Sequence, residues 1–230
     1  MDEDIKVNED IETIQGPTTV KTTVHQPGSP LWAQIISDVF SPIMTPTYGM
    51  VLSMWATPLR SIPESNRLIA TLLVAVITGL VPLLVIAMLI KAGKISDRAL
   101  SCRNQRTVPM SIAAACYIGA SLFVGSLGAP VWLRMFFIGA ATAAVIVILI
   151  TLKWKISAHT TAMGGLTGMM LWFAVSGVAD INIMIMFSIG IILAGAVATS
   201  RLLLQRHTLG QVLSGLALGI IISFASMCIR

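Results

Sequence analysis

Long apolar runs separated by short polar segments dominate the chain from residue 31 onward. Several of these runs approach the roughly 20 residues that a helix needs to cross a bilayer, and none alternates like a membrane β-strand. The pattern predicts six clear spans, at residues 68–90, 110–127, 131–152, 160–178, 181–199 and 211–228. The run at 31–58, broken by Pro42 and Pro46, is an interfacial approach followed by a short seventh segment whose crossing stays open.

Composition places the chain in the membrane class. It is 56% hydrophobic and 11% charged, with a mean hydropathy of +0.87, which is far from a soluble globular domain. We therefore predict an all-α, polytopic transmembrane helical bundle of six to seven helices, formed by residues 31–230 as a single domain. Residues 1–30 are polar and begin with acidic side chains, so this tail is predicted to be disordered and not to be a cleaved signal peptide.

Cofactor, metal and nucleic-acid chemistry find no sequence support. The cysteines Cys102, Cys116 and Cys228 lack the spacing of a zinc site or a disulfide framework and are expected to serve packing. No Gly-rich phosphate loop or metalloprotease motif occurs, so neither a cofactor nor a metal is expected. The excess of basic residues lies in short loops between spans, which makes nucleic acid an unexpected partner.

One face of the predicted bundle collects most of the basic residues. Each helix pair crosses and returns, so the loops at 91–109, 153–159 and 200–207 share that face. The loops contain two histidines and nine cations, namely His159, His207, Lys91, Lys94, Arg98, Arg103, Arg106, Lys153, Lys155, Arg201 and Arg206. The positive-inside bias accounts for the lysines, but topology requires no histidine. Ionisable groups at membrane depth usually have a function, so these loops predict a site for an anionic group.

Three blocks in these loops resemble the signature of the type 2 phosphatidic acid phosphatase superfamily, the lipid phosphate phosphatases. The third block, SR-x5-H-x3-D, is matched at Ser200, Arg201 and His207. The second, usually PSGH, is similar to residues 156–159, which read Ile-Ser-Ala-His. The first, K-x6-RP, is loosely echoed by Arg98, Arg103, Arg106 and Pro109. The resemblance covers the chain from about residue 91 to its end, and block order, spacing and membrane side agree.

The resemblance implies a metal-independent phosphatase acting on a lipid phosphate or diphosphate whose tail stays in the bilayer. His207 would be the nucleophile that forms a phosphohistidine. His159 would protonate the leaving alkoxide and later activate water. The implied phosphate-binding residues are Arg201, Arg106, Arg103, Ser157, Lys155 and Arg98. The lipid substrate and the bilayer are the expected partners, and nothing in the sequence indicates a homo-oligomer.

The main departure from the signature is Gln211, which stands where the family has an Asp. A Gln carbonyl can accept the imidazole N–H of His207, but it cannot stabilise the cation that develops on attack. The alternative function is therefore a catalytically impaired protein of the same fold that binds or transports a lipid phosphate. A third possibility is a channel or scaffold in which the basic residues only set topology, and it would require all three motif matches to be accidental. The first block also lacks its Lys, since Ala99 stands there.

Two further expectations concern packing and placement. The pairs Gly164/Gly168 and Gly215/Gly219 have the four-residue spacing that allows helices to approach closely, and Thr208 is a candidate cap for the last helix. The expected location is the bacterial inner membrane. The charge bias places the motif face in the cytoplasm, the resemblance favours the outer side, and the sequence leaves both open.

Overall fold

The computed structural model describes residues 30–94 and 107–229, and within these ranges all regular secondary structure is helical. Eight helices occur there: α1 Leu31–Val39, α2 Thr45–Ala56, α3 Glu64–Lys91, α4 Thr107–Ser126, α5 Val131–Thr151, α6 Ala158–Ser176, α7 Ile183–Leu203 and α8 Leu209–Met227. Five of them, α3, α4, α5, α7 and α8, are long and apolar enough to cross a membrane. The protein is thus an integral membrane protein by the length and composition of its helices.

Helices α1 and α2 form the apolar run at residues 31–58, for which the sequence does not decide whether the chain crosses the membrane. With 12 residues, α2 is about 18 Å long at 1.5 Å per residue, which is shorter than the hydrocarbon core. The break between the two helices contains Pro42, whose carbonyl accepts a hydrogen bond from Tyr117 Oη at 2.9 Å. Helix α1 packs against α7, and α2 packs against α3 and α6. Both helices therefore belong to the bundle, although neither spans it alone.

Helix α3 contains a local widening at Pro82. Residues Val76–Leu80 form a π-helical turn immediately before this proline. Proline has no amide hydrogen, and its ring clashes with the carbonyl four residues earlier. The local hydrogen bonds therefore change from the α-helical i→i+4 pattern to the wider π-helical i→i+5 pattern. The helix continues on either side, which gives one long span close to the predicted 68–90.

Helix α6 is the most enclosed helix of the bundle and has 19 residues, yet its composition keeps it out of the five apolar spans. Its threonines Thr160, Thr161 and Thr167 are buried, and each donates its hydroxyl to a backbone carbonyl. A helix covered by other helices does not need lipid-facing residues, which explains its lower hydropathy.

The predicted glycine contacts join α6 to α8. A Cβ atom at Gly164 would collide with the Leu216 carbonyl, and one at Gly219 would collide with the Thr161 carbonyl. The same holds at Gly168 against Ile220 and at Gly215 against Ser157. Both glycine pairs are therefore confirmed as points of close helix approach, and the α6–α8 contact is the most extensive in the bundle.

The main hydrophobic core lies at the end of the bundle remote from the predicted motifs. It contains Leu133 and Phe137 near the start of α5, and Met169 and Phe173 near the end of α6. Phe173 packs edge to face against Trp132, with ring centroids 5.5 Å apart. This packed end provides a rigid base, and the opposite end of α5, α6 and α8 is left to form the site.

Candidate functional site

Two of the three motif segments are joined directly by hydrogen bonds. The amide of Ser157 donates to the Gln211 carbonyl at 3.3 Å, and Thr160 Oγ1 donates to the Val212 carbonyl at 2.9 Å. These bonds tie the start of α6, which carries His159, to the start of α8, which follows His207. The two histidine segments are therefore fixed to one another before any ligand is considered.

Ser157, a predicted phosphate ligand, is the N-cap of α6. Its side chain is fully buried, and its hydroxyl accepts a hydrogen bond from the Thr160 amide at 3.4 Å. This bond satisfies one of the free amides at the helix start. The structure therefore gives Ser157 a capping position, and its contact with phosphate stays a prediction.

The start of α8 is closed by a capping box between Thr208 and Gln211. The predicted cap at Thr208 is thereby confirmed. Gln211 Oε1 accepts from the Thr208 amide at 3.3 Å and lies 3.1 Å from His207 Nδ1. Because an amide oxygen can only accept, the contact requires a proton on Nδ1 and leaves Nε2 with its lone pair. That tautomer is the one in which His207 can act as a nucleophile.

Arg201 lies in the last turn of α7, since the helix extends beyond the predicted end of this span. The helix ends in a Schellman arrangement, with the Arg206 amide bonded to the Arg201 carbonyl at 3.1 Å and the Gln205 amide to the Leu202 carbonyl at 2.9 Å. Gln205 has a φ of 50°, the left-handed conformation this cap requires. The turn directs the chain from Arg201 back to His207 within six residues.

Helix α1 supplies site residues that the sequence analysis did not assign. Arg201 Nη1 donates to Ser37 Oγ at 2.7 Å, and the backbone of Ser37 interacts with the ring of His159. Gln34 and Asp38 line the same cavity as these groups. The spacing of Gln34, Ser37 and Asp38 is i, i+3 and i+4, which places them on one face of a helix. That polar face on an otherwise apolar segment is the signal that could have identified them.

A cavity of about 1030 Å³, here called the site cavity, collects at its polar mouth four of the six predicted site residues that the structure describes. The mouth is lined by Lys155, His159, Arg201, Arg206, His207 and Asp38. Pro109 of the first block also lines the site cavity, whereas Ser157 and Gln211 do not. The predicted ligands Arg98, Arg103 and Arg106 fall outside the described residues. Two of the three motif segments thus meet around one polar opening.

The electrostatics of the mouth favour a neutral His159. This residue lies at the beginning of α6, outside the five apolar spans. Burial, the positive charge of Arg201 and, when His207 is protonated, its charge as well lower the pKa of His159 to about 3, against a smaller opposing effect of the Ser37 backbone. An anion at the mouth would offset these cations and raise the pKa of His159. The mouth is therefore arranged to take up negative charge together with a proton.

Comparison with known proteins does not assign the chain to a family. No protein-family model, curated protein or solved structure matches the chain. The described residues contain no group of three or more His, Cys, Asp or Glu side chains that could hold a metal ion. Function must therefore be inferred from the site itself and from the three sequence blocks.

Proposed function

We propose that this protein is an integral membrane phosphatase that removes phosphate from a lipid phosphate or diphosphate through a phosphohistidine on His207, without a metal ion. The supporting observation is the arrangement of His159, Arg201 and His207 around the polar mouth of one cavity whose interior is largely apolar. Cations and imidazoles suit a phosphate, and an apolar interior suits the rest of a lipid. The resemblance of three blocks to the type 2 phosphatidic acid phosphatases points to the same chemistry.

In the proposed reaction, His207 Nε2 attacks phosphorus while the bond from phosphorus to the alkoxide oxygen breaks. A protonated His159 gives its proton to the leaving oxygen, which departs as the lipid alcohol. Water then attacks the phosphohistidine, loses a proton to His159 and releases inorganic phosphate. Arg201 is placed to stabilise the negative charge on the phosphoryl oxygens during both steps.

The placement in the membrane follows from the helix order. We take α6 from Thr160 to Ser176 as a sixth span, with His159 in the polar segment before it, because this length suffices to cross and the neighbouring helices shield its polar side chains. The bundle would then comprise α3 to α8, with α1 and α2 packed against it and the motif segments on one face. A bacterial inner membrane is the proposed location.

The test is phosphate release by purified protein from isoprenoid, glycerolipid and lipid A phosphates and diphosphates, in the presence of chelator. His207→Ala and His159→Ala should each abolish release. Lys153→Ala is the matched control, because Lys153 is an exposed cation at the same end of the bundle but does not line the site cavity. Base-quenched samples should contain an acid-labile phosphoryl label in wild type and none in His207→Ala. Absence of release from every substrate would overturn the proposal.

A second candidate function is binding or transport of a lipid phosphate without turnover. The observation that favours it is the neutral Gln211 amide beside His207, where catalysis would gain from a carboxylate. On this alternative, labelled lipid phosphate binds wild type and His207→Ala equally, and Gln211→Asp does not initiate turnover. Loss of binding in both proteins would exclude it.

A further inference from the structure

The interior of the site cavity is a second, apolar compartment. One stripe of α5 lines it from Thr151 at the mouth to Phe136 at depth, through residues three or four apart. These lining residues include Val147, Ala144 and Ala140. Thr151 and Phe136 are 15 positions apart, so the stripe extends about 22 Å along the helix at 1.5 Å per residue. The cavity therefore extends from the polar mouth well into the bundle.

Small side chains on facing helices create this compartment. Helix α5 contributes Ala140 and Ala144, α6 contributes Ala162 and Gly165, and α4 contributes Ala113. A Cβ atom built on Gly165 would meet no atom within 4 Å. Because α6 packs tightly against α8 through its other glycines, it makes few contacts with α5. The space between α5 and α6 is thus a consequence of residue size on the facing surfaces.

The length and polarity of the compartment suit a hydrocarbon chain. A volume of about 1030 Å³, which includes the mouth, lies slightly above the roughly 300–1,000 Å³ range of small-molecule sites. The compartment runs along α5 for about 22 Å, a length that a hydrocarbon chain can follow. Its lining is largely apolar, with single hydroxyls from Tyr117, Thr161 and Ser223, and the cationic side chains lie at one end. Such a cavity is complementary to an amphiphile that carries its charge at one end.

We propose that the site cavity binds the hydrocarbon tail of a phosphorylated lipid inside the bundle, with the phosphate at the mouth. The substrate class is then a lipid phosphate whose tail leaves the bilayer, such as an isoprenyl or single-chain alkyl or acyl phosphate. This inference rests on the proposed function for the nature of the head group. It differs from the sequence-based expectation, in which the tail stays in the bilayer, and it depends on residues remote from the histidines.

The test is the chain-length dependence of phosphate release from single-chain alkyl phosphates. In wild type, kcat/KM should rise with chain length until the compartment is filled. Ala144→Phe places a ring in the compartment and should lower kcat/KM for long chains at least tenfold, with less effect on short ones. Val145→Phe is the matched control, because Val145 is the neighbouring residue on α5 but is exposed on the outside of the bundle. An unchanged chain-length profile in Ala144→Phe would overturn the inference.

A binding measurement and a second blocking variant allow the tail compartment to be tested even if the protein releases no phosphate or Ala144→Phe does not fold. Equilibrium binding of radiolabelled dodecyl phosphate is measured beside inorganic phosphate in wild type, Ala144→Phe and His207→Ala. Selective loss of dodecyl phosphate affinity in Ala144→Phe supports the tail compartment even if no protein releases phosphate, which would refute only the proposed function. Equal affinity in wild type and Ala144→Phe refutes the compartment even if release persists. If Ala144→Phe does not fold, Gly165→Leu serves as the blocking variant, since a Cβ has free space there.

Discussion

Gln211 Oε1 lies 3.1 Å from His207 Nδ1, and the same oxygen accepts a hydrogen bond from the Thr208 amide. One side-chain atom therefore closes the start of α8 and orients the imidazole of the proposed nucleophile. The first task is structural and is done equally well by an amide or a carboxylate. The second depends on charge, because only a carboxylate stabilises an imidazolium directly.

Gln211→Glu should therefore increase phosphate release by tenfold or more. Glutamate has the same length as glutamine, so it can preserve both contacts while it adds the negative charge. Gln211→Met removes the acceptor and should lose activity together with about 0.5–2 kcal/mol of stability from the cap. Release rates and thermal unfolding of the three proteins check this prediction. Equal rates in Gln211→Glu and Gln211→Met would show that Gln211 does not assist the reaction.

Ser37→Ala should weaken substrate binding more than it slows turnover. The buried Ser37 hydroxyl accepts a hydrogen bond from Arg201 at 2.7 Å, and such bonds to charged groups contribute about 1.5–3 kcal/mol. We therefore expect KM for a lipid phosphate to rise about tenfold or more, with a smaller change in kcat. Ser188→Ala is the matched control, since this exposed hydroxyl bonds only locally to the Met184 carbonyl. Unchanged KM and kcat in Ser37→Ala would contradict a role through Arg201.

Gly168→Ala should destabilise the bundle and impair the site from a distance. The added methyl group would meet the backbone of Ile220, which cannot move without separating α6 from α8. Overpacking of this kind costs about 1–3 kcal/mol. Gly195→Ala on α7 is the control, because its Cβ meets nothing within 4 Å and alanine favours a helix by about 0.5–1 kcal/mol. The melting temperature should thus fall in Gly168→Ala and rise in Gly195→Ala. A change in the same direction in both variants would refute the role of Gly168.

The apolar helices could be predicted well because their signals are local. The turn at Gly128 and Pro130 stops one span and starts the next, and α5 begins at Val131 as predicted. The capping box at α8 also has a local signature, since Thr208 and Gln211 have the T-x-x-Q spacing. Thr208 is therefore predictable as the cap, whereas the part that Gln211 plays in it is hidden by its position as a substitute for Asp.

The position of α1 and the interior of the site cavity could not be read from the chain. Ser37 and Arg201 are 164 positions apart, so their contact depends on the assembled bundle. Likewise, Ala140, Ala144 and Gly165 look like ordinary small residues of membrane helices until α5 and α6 face one another. Such features arise from tertiary packing and have no periodic signal of their own.

The stability of the protein should depend on pH through His159. Its pKa is about 3 in the fold and near 6.5 when unfolded, so below pH 6.5 the unfolded chain binds a proton that the folded protein does not. Stability should accordingly fall as the pH decreases from about 6.5 towards 3, with a contribution of up to about 1.4 kcal/mol per pH unit. Thermal unfolding in detergent from pH 7 to 4.5 should show a shallower decline for His159→Gln than for wild type or Lys153→Ala. Dodecyl phosphate at the mouth should flatten the wild-type profile, because its charge favours protonated His159. Parallel profiles for all three proteins would contradict this prediction, because they would mean that the pKa of His159 is the same in the folded and the unfolded protein.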